Sequence, residues 1–320
     1  MAFLNNRIEK EEDKLRVRDL YKSVADAREK KMSRKLQHFI SERIEKDISD
    51  DIYTVMATYY DHFETRNTFH HHIRWLKTAS TDTANIWLSA MPRTKTHTFS
   101  NEEFESVVRL QLFLGQRVLV NGGKCEVGSH VCDNRGHHLL WCPKGGGVIR
   151  RHDHVVNIVE TMTRLAGIKC SQNVNRIFQT RLPNERKKPD LFISGGQGLR
   201  DIVADVRICL PTHINDAISR QEAEENYKRH ATEAFNNKIN KHGAAAETND
   251  YDLLPMIMTT TGLLHDRFKD YITRTVKRMA PDNTYLQAIH LRYWFTLLSC
   301  AIQKCNVRII LDRSRIVSNH

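Results

Sequence analysis

Two aspartates, Asp190 and Asp205, are spaced so that they could act together on a phosphate group. Asp190 ends the sequence Lys-Pro-Asp in front of a short apolar run, and Asp205 lies inside the next apolar run, with fourteen residues between the two. The runs have strand-like composition and are joined by a glycine-rich turn, which predicts a hairpin with both carboxylates at one end of a sheet. Paired carboxylates bind Mg²⁺ through hard oxygen ligands, and the ion activates water for attack on a phosphate. The alternative is a pair of surface aspartates that flank a hairpin.

The second run, DIVADVRIC, alternates polar and apolar residues. A strand has a side-chain period of two, so Asp205 and Arg207 should share one face with Asp201 and Val203, while the face that starts at Ile202 turns to the core. Aspartate is a poor strand former, and its place in mid-strand favours a functional explanation.

A second group of candidate ligands lies in a segment rich in glycine, histidine and cysteine, with too few apolar residues to hold itself together. Thiolates and an imidazole suit Zn²⁺, and four protein ligands make a closed, structural site. His130 or His137 could replace one ligand, and the alternative is a set of scattered thiols without metal. The predicted Cys3His set is Cys125, Cys132, His138 and Cys142.

The segments around these residues predict an α+β fold in three parts. Residues 1–118 form a helical N-terminal region, with helices expected at 1–50, 52–80 and 102–114. The small zinc-binding module covers 119–148. Residues 149–320 form an α/β core with C-terminal helices, in the order helix, two strands, helix (215–241), strand (253–262) and helices.

The net charge of +11 favours polyanionic partners. The N-terminus has no secretory signal, and the apolar runs are too short to span a bilayer, so we expect an intracellular protein without membrane contact. Nuclear localisation is expected if the substrate is DNA.

Several motifs follow one another in an order that is itself informative: WLSAMP, FESVVRLQLFLG, the Cys/His segment, GGGVIRRHDHVV, KPDLFISGGQGLRDIVADVRI and LLPMIMTTTG. From Trp87 to near Arg313 the chain resembles the C-terminal region of retroelement reverse-transcriptase proteins, in which a zinc finger precedes a restriction-enzyme-like endonuclease of the PD-(D/E)xK type. The resemblance implies a Mg²⁺- or Mn²⁺-dependent nuclease that nicks DNA, with Asp190 and Asp205 as metal ligands. It also implies a reverse-transcriptase partner or parent polyprotein, and RNA of the element as a further partner.

The resemblance suggests further site residues. Glu160 is a candidate third metal-binding acid, although a solvated helix residue is an equal reading. The stretch Arg150, Arg151 and His152 opens the first core helix. Together with the tract Arg186, Lys187 and Lys188 beside Asp190, it would bind the nucleic-acid backbone.

The sequence departs from the family pattern in two places. Arg207 occupies the position of the motif lysine, and because arginine keeps its proton it cannot act as a general base. The resemblance offers Lys238 or Lys241, on the following helix, as the replacement. In the finger, Val127 stands where the family has its second cysteine, and Cys132 is expected to compensate.

No Tyr-x-Asp-Asp polymerase signature occurs in the sequence, so we expect either a fragment of a longer element protein or a domesticated stand-alone protein. Two rival interpretations remain open. One is a catalytically inactive nucleic-acid-binding protein of the same fold, and the other is a protein-interaction scaffold held together by zinc.

Overall fold

The computed structural model describes residues 66–92, 94–119, 133–172, 189–195, 199–213 and 217–317. The charged helix predicted at 1–50 lies outside these residues. So do Cys125 and Cys132, the basic tract at 181–188 with its three candidate residues, and the middle of the predicted turn between the two predicted strands.

The helical region begins with α1 (Arg66–Ala79) and α2 (Asp82–Asn85), after which a 3₁₀ turn leads towards α3 (Asn101–Gln111). A capping box sets the start of α3, because the Ser100 hydroxyl accepts from the Glu103 amide and the Glu103 carboxylate accepts from the Ser100 amide. Trp75 of α1 donates from its indole nitrogen to the Leu110 carbonyl at 2.9 Å, which ties α1 to α3. The helices predicted in this region are therefore present in its described part.

The sheet has four strands in the order β1-β2-β3-β4: β1 (Cys170–Gln172), β2 (Leu191–Ile193), β3 (Ile202–Cys209) and β4 (Asp252–Thr259). The pairs β1–β2 and β2–β3 are antiparallel, and β3–β4 is parallel. The parallel pair needs a crossover, which α5 (Arg220–Glu225) and α6 (Arg229–Thr248) provide. The predicted strands and their hairpin are present, whereas the single helix expected at 215–241 is divided into two. Strand β1 was not predicted.

Helices cover both faces of the sheet. On one side α4 (Gly147–Leu165), α7 (Asp266–Met279) and the long α8 (Thr284–Val317) enclose the main core with Ala204 and Val206 of β3. On the other side α6 packs against the face that carries Val203 and Ile257, both fully buried. The face of β3 that starts at Ile202 packs against the main core as predicted. The opposite face is also covered, because α6 packs on it around Asp205.

Helix α8 joins the predicted parts of the chain. Its buried side chains donate to three carbonyl groups: Ser299 to Ala84 at 3.0 Å, Gln303 to Thr261 at 2.8 Å and Asn306 to Thr260 at 2.6 Å. A shared apolar cluster contains residues from all three predicted segments, namely Trp75, Leu110, Phe113, Leu140, Leu210 and Ile310. The described parts of the three predicted segments thus share one apolar cluster. The domain boundaries at 118 and 148 remain predictions from sequence. Within the described residues, no helix combines the length and apolarity needed to cross a bilayer.

Candidate active site

The two aspartates meet where the β2–β3 ladder ends. Leu191 pairs with Ala204, so the next residues along each strand are Asp190 and Asp205. Asp190 continues the ladder with its side chain, because its Oδ2 atom accepts the backbone amide of Val206 at 2.7 Å. This hydrogen bond replaces a backbone partner for β3 and fixes the Asp190 carboxylate beside Asp205.

His152 of α4 binds the same oxygen of Asp190 as the Val206 amide does. Its Nε2 atom donates to Asp190 Oδ2 at 3.1 Å, while Nδ1 lies 3.1 Å from the Asp153 carboxylate. The hydrogen bond to Asp190 raises the pKa of His152 to about 9, with burial opposing and Asp153 adding to the rise. Burial alone would raise the pKa of Asp190, but the hydrogen bonds from His152 and Val206 hold it below its usual range. Asp190 is therefore an anion beside an imidazolium.

Asp205 receives its counter-charge from α6. The Lys238 ammonium lies 2.7 Å from both carboxylate oxygens, and His242 Nε2 lies 3.6 Å from Oδ2. Lys238 and His242 are four residues apart on α6 and so share one face of the helix. Burial raises the pKa of Asp205 and the nearby Asp190 charge raises it further, although Lys238 opposes both effects.

The donor set fits a hard divalent cation. The carboxylates of Asp190 and Asp205 are mostly buried and lie next to each other. Carboxylate oxygens are the ligands that Mg²⁺ takes in proteins. Burial is the largest cause of the raised pKa of Asp205, and the Asp190 charge adds to it. A divalent cation would relieve the repulsion between the two anions. Asp190, Asp205, His152 and Lys238 thus form what we call the carboxylate site.

Arg207 and Lys241 lie near this site without touching its carboxylates. Arg207 follows Asp205 on the same face of β3, past the last pair with β2, and its side chain is exposed. Lys241 is exposed almost one turn further along α6. Of the two lysines proposed as replacements for the motif lysine, Lys238 is the one that reaches Asp205.

Glu160 does not join the carboxylate site. It lies eight residues after His152, which is about 12 Å along the axis of α4. Its oxygens accept from Arg164 at 2.6 Å and from Gln172 at 2.5 Å, so its described role is to tie α4 to β1. The role of Glu160 as a third metal-binding acid stays a prediction from the resemblance.

The three basic residues that open α4 point in different directions. Arg151 is buried and donates to Asn306 Oδ1 and to the Leu140 carbonyl, both at 2.7 Å, so it anchors α4 to α8 rather than presenting an open surface. Arg150 is exposed, with Asp312 of α8 at 3.8 Å. Only His152 contacts Asp190. The sequence predicts that His152 binds the nucleic-acid backbone, whereas the structure places it at the carboxylates.

His138 and Cys142, the two predicted zinc ligands that are described, lie at the ends of one short turn. Cys142 donates its amide to the His138 carbonyl at 3.1 Å, and both side chains are buried. Asp133 stabilises the turn by accepting the amides of Arg135, His137 and His138 at 2.9–3.1 Å. In the described part of the chain, no group of three or more acidic, histidine or cysteine side chains is placed to hold a metal ion.

The alternative zinc ligand His137 faces the core instead. Its Nε2 atom lies 3.0 Å from the Thr212 carbonyl, and burial lowers its pKa to about 4. This contact joins the turn to the segment that follows β3. The other alternative ligand, His130, lies outside the described residues.

Two features of the site were missed from sequence. The position of His242, four residues after Lys238, was a usable signal because residues at this spacing share a helix face. The pairing of His152 with Asp190 spans 38 residues and had no local signal. Asp201 accepts the Gly195 amide at 2.8 Å and closes the hairpin.

Comparison with known proteins relates the chain to retroelements. It is 28% identical over 169 residues to the retrotransposable element SLACS 132 kDa protein of Trypanosoma brucei gambiense. The alignment covers 50% of this chain and 13% of that protein, so the chain matches a small part of its relative's length. No protein-family model matches the chain.

The two candidate lysines make a matched pair for testing the site. We expect Lys238→Met to lower the free energy of unfolding at pH 7 by about 1–3 kcal/mol, because it leaves two partly buried carboxylates with less counter-charge. Lys241→Met removes the same charge from an exposed position and should change stability by about 0.5 kcal/mol or less. Urea denaturation followed by circular dichroism measures both. Equal effects from the two substitutions would mean that the ammonium of Lys238 does not stabilise Asp205.

Proposed function

We propose that this chain is a metal-dependent DNA endonuclease of retroelement origin, with a restriction-enzyme-like core that nicks its substrate. The observation that carries the proposal is the meeting of Asp190 and Asp205 at the end of the β2–β3 ladder, with a lysine ammonium on Asp205. The similarity to a retrotransposable element protein supports the origin. The net charge of +11 supports a polyanionic substrate.

Asp190 and Asp205 would hold Mg²⁺ or Mn²⁺. Such an ion, when bound, lowers the pKa of a coordinated water and stabilises the charge on the scissile phosphate. The chain keeps the two carboxylates in place before any substrate arrives, since Asp190 is held by the Val206 amide and by His152. This preorganisation spares the site from rearranging during the reaction.

Lys238 and Arg207 supply positive charge for the phosphate. Lys238 is partly buried against Asp205 and can donate hydrogen bonds to groups bound there, as a replacement for the motif lysine. Arg207 is exposed beyond the end of β2, where it can pair with phosphate oxygens but cannot remove a proton. Lys241 would contact the DNA backbone at a point further from the carboxylates.

A catalytically inactive nucleic-acid-binding protein is the second candidate. It is favoured by Arg207, which stands where the motif has lysine. Lys238 weighs against it, because its ammonium contacts Asp205 from the neighbouring helix and so restores a lysine to the site. We therefore rank the active nuclease first.

A structural zinc ion and further partners complete the proposal. His138 and Cys142 lie on one turn, as two ligands of a Cys3His site would, and Cys125 and Cys132 would supply the others. Arg186, Lys187 and Lys188 precede Asp190 in sequence and would bind DNA beside the cut. RNA of the element, a reverse-transcriptase partner or parent polyprotein, and a nuclear location follow from the retroelement origin.

Cleavage of supercoiled plasmid tests the enzyme proposal. With Mg²⁺ or Mn²⁺ we expect the wild-type protein to produce nicked circles. Asp190→Ala and Asp205→Ala should lower the rate by at least about 100-fold because each removes a metal ligand. Both variants should still bind the plasmid in a mobility-shift assay.

Asp201→Asn is the matched control, since asparagine keeps an oxygen for the Gly195 amide, and it should cut like the wild type. Undiminished cutting by Asp190→Ala would contradict the assignment, and binding without cutting by the wild type would favour the inactive protein.

The zinc proposal predicts about one equivalent of zinc per purified chain by elemental analysis. Cys142→Ser should lose most of this zinc and melt at lower temperature, because metal binding and folding are coupled in small loop-rich modules. Cys170→Ser is the control, since Cys170 is a buried cysteine on β1. Full zinc content in Cys142→Ser would rule out Cys142 as a ligand.

A further inference from the structure

A cavity of about 310 Å³ opens on the side of α4 that faces α8. It lies between the first turns of α4, the second half of α8 and the turn at residues 95–96. A single water needs roughly 10–15 Å³ by the same measure, so the space admits a solvated polyatomic ion. Its lining contains one carboxylate, Asp312, and five cations: Lys95, Arg150, Arg151, Lys304 and Arg308.

The buried Arg151 places a positive charge in the lining of the cavity. Its guanidinium is 1% exposed and donates to two neutral acceptors, Asn306 and the Leu140 carbonyl. Its buried Nε atom has no hydrogen-bond partner among the described residues. Burial lowers the pKa of Arg151 to about 10, which leaves it charged at neutral pH. A buried cation whose hydrogen bonds go to neutral groups favours an anion nearby.

The other cations are only weakly neutralised. Arg150 lies 3.8 Å from Asp312, and Arg308 lies 3.9 Å from Glu103, with both arginine side chains about two-thirds exposed. Ion pairs this long and this open to solvent contribute little. Lys304 donates to the Lys95 carbonyl and lies over the Phe99 ring at 5.2 Å. The positive charge of the lining therefore remains available to a ligand.

The start of α4 adds to this charge. Gly146 is the N-cap residue, and no side chain caps the helix there. Gly147, the first residue of this 19-residue helix, lines the cavity. The amide groups at a helix start carry partial positive charge and bind phosphate where no side chain caps them.

We propose that this cavity binds a backbone phosphate of duplex DNA, at a second point on the same duplex that the carboxylate site cuts. The inference rests on the proposed function. Helix α4 separates the two points, because His152 contacts Asp190 while Arg150 and the buried Arg151 line the cavity. A helix is about 10–12 Å across, which equals the rise of roughly three base pairs. A phosphate held here would set the position of the duplex on the carboxylate site.

Binding of a 20-base-pair duplex, measured by fluorescence anisotropy between 50 and 200 mM NaCl without added divalent metal, tests the proposal independently of cleavage. The test variant combines Arg150→Gln with Arg308→Gln, which are both exposed and should leave the fold intact. The control combines Lys277→Gln with Arg278→Gln, which removes two exposed cations from the last turn of α7. A parallel arm measures thermal unfolding with inorganic phosphate at millimolar concentration.

The proposal predicts that the test variant binds the duplex about tenfold more weakly at 50 mM NaCl and that its salt slope falls by about 1, as for one lost phosphate contact. The control should change affinity by less than about twofold. An unchanged slope in the test variant overturns the proposal but leaves the nuclease proposal standing. So does stabilisation of the wild type alone by inorganic phosphate with unchanged duplex binding, which would mark a site for free phosphate. Failure of the wild type to bind duplex DNA overturns both proposals.

Discussion

The hydrogen bond from the Val206 amide to the Asp190 carboxylate is the interaction on which the candidate site depends. Strand β2 begins at Leu191, one residue after Asp190, and its ladder with β3 stops at the pair of Leu191 with Ala204. The Val206 amide of β3 therefore has no backbone acceptor on β2 and donates to the Asp190 carboxylate. The carboxylate takes the place of the missing backbone acceptor. The same bond that completes the sheet therefore fixes Asp190 next to Asp205, and the proposed metal site arises from the way the ladder ends.

The helices on the two faces of the sheet provide the charges that make such a pair tolerable. From one face α4 brings His152 to Asp190, and from the other face α6 brings Lys238 to Asp205. Two partly buried anions side by side would repel each other without these cations. The crossover that α6 makes between the parallel strands β3 and β4 is thus also what delivers the lysine to the site. The helix that connects β3 to β4 therefore also contributes a residue to the site.

The local parts of this arrangement could be predicted from sequence, and the long-range parts could not. Alternating residues and the glycine-rich turn predicted the β2–β3 pair and its two aspartates. The position of Lys238 on the next helix came from a family resemblance. Strand β1 is only three residues long and has no pattern of its own. The sequence predicts a phosphate contact for Arg151, because exposed and buried arginines cannot be distinguished in sequence. Only its packing against α8 shows that this arginine is buried.

Binding of Mn²⁺, followed by electron paramagnetic resonance, tests most directly whether the two aspartates form a metal site. We predict one Mn²⁺ site per wild-type chain, and an affinity at least about tenfold lower in Asp190→Asn, which keeps the shape of the residue and removes its charge. Asp201→Asn, in the same hairpin, should bind Mn²⁺ like the wild type. Equal Mn²⁺ affinity in the wild type and Asp190→Asn would contradict the account.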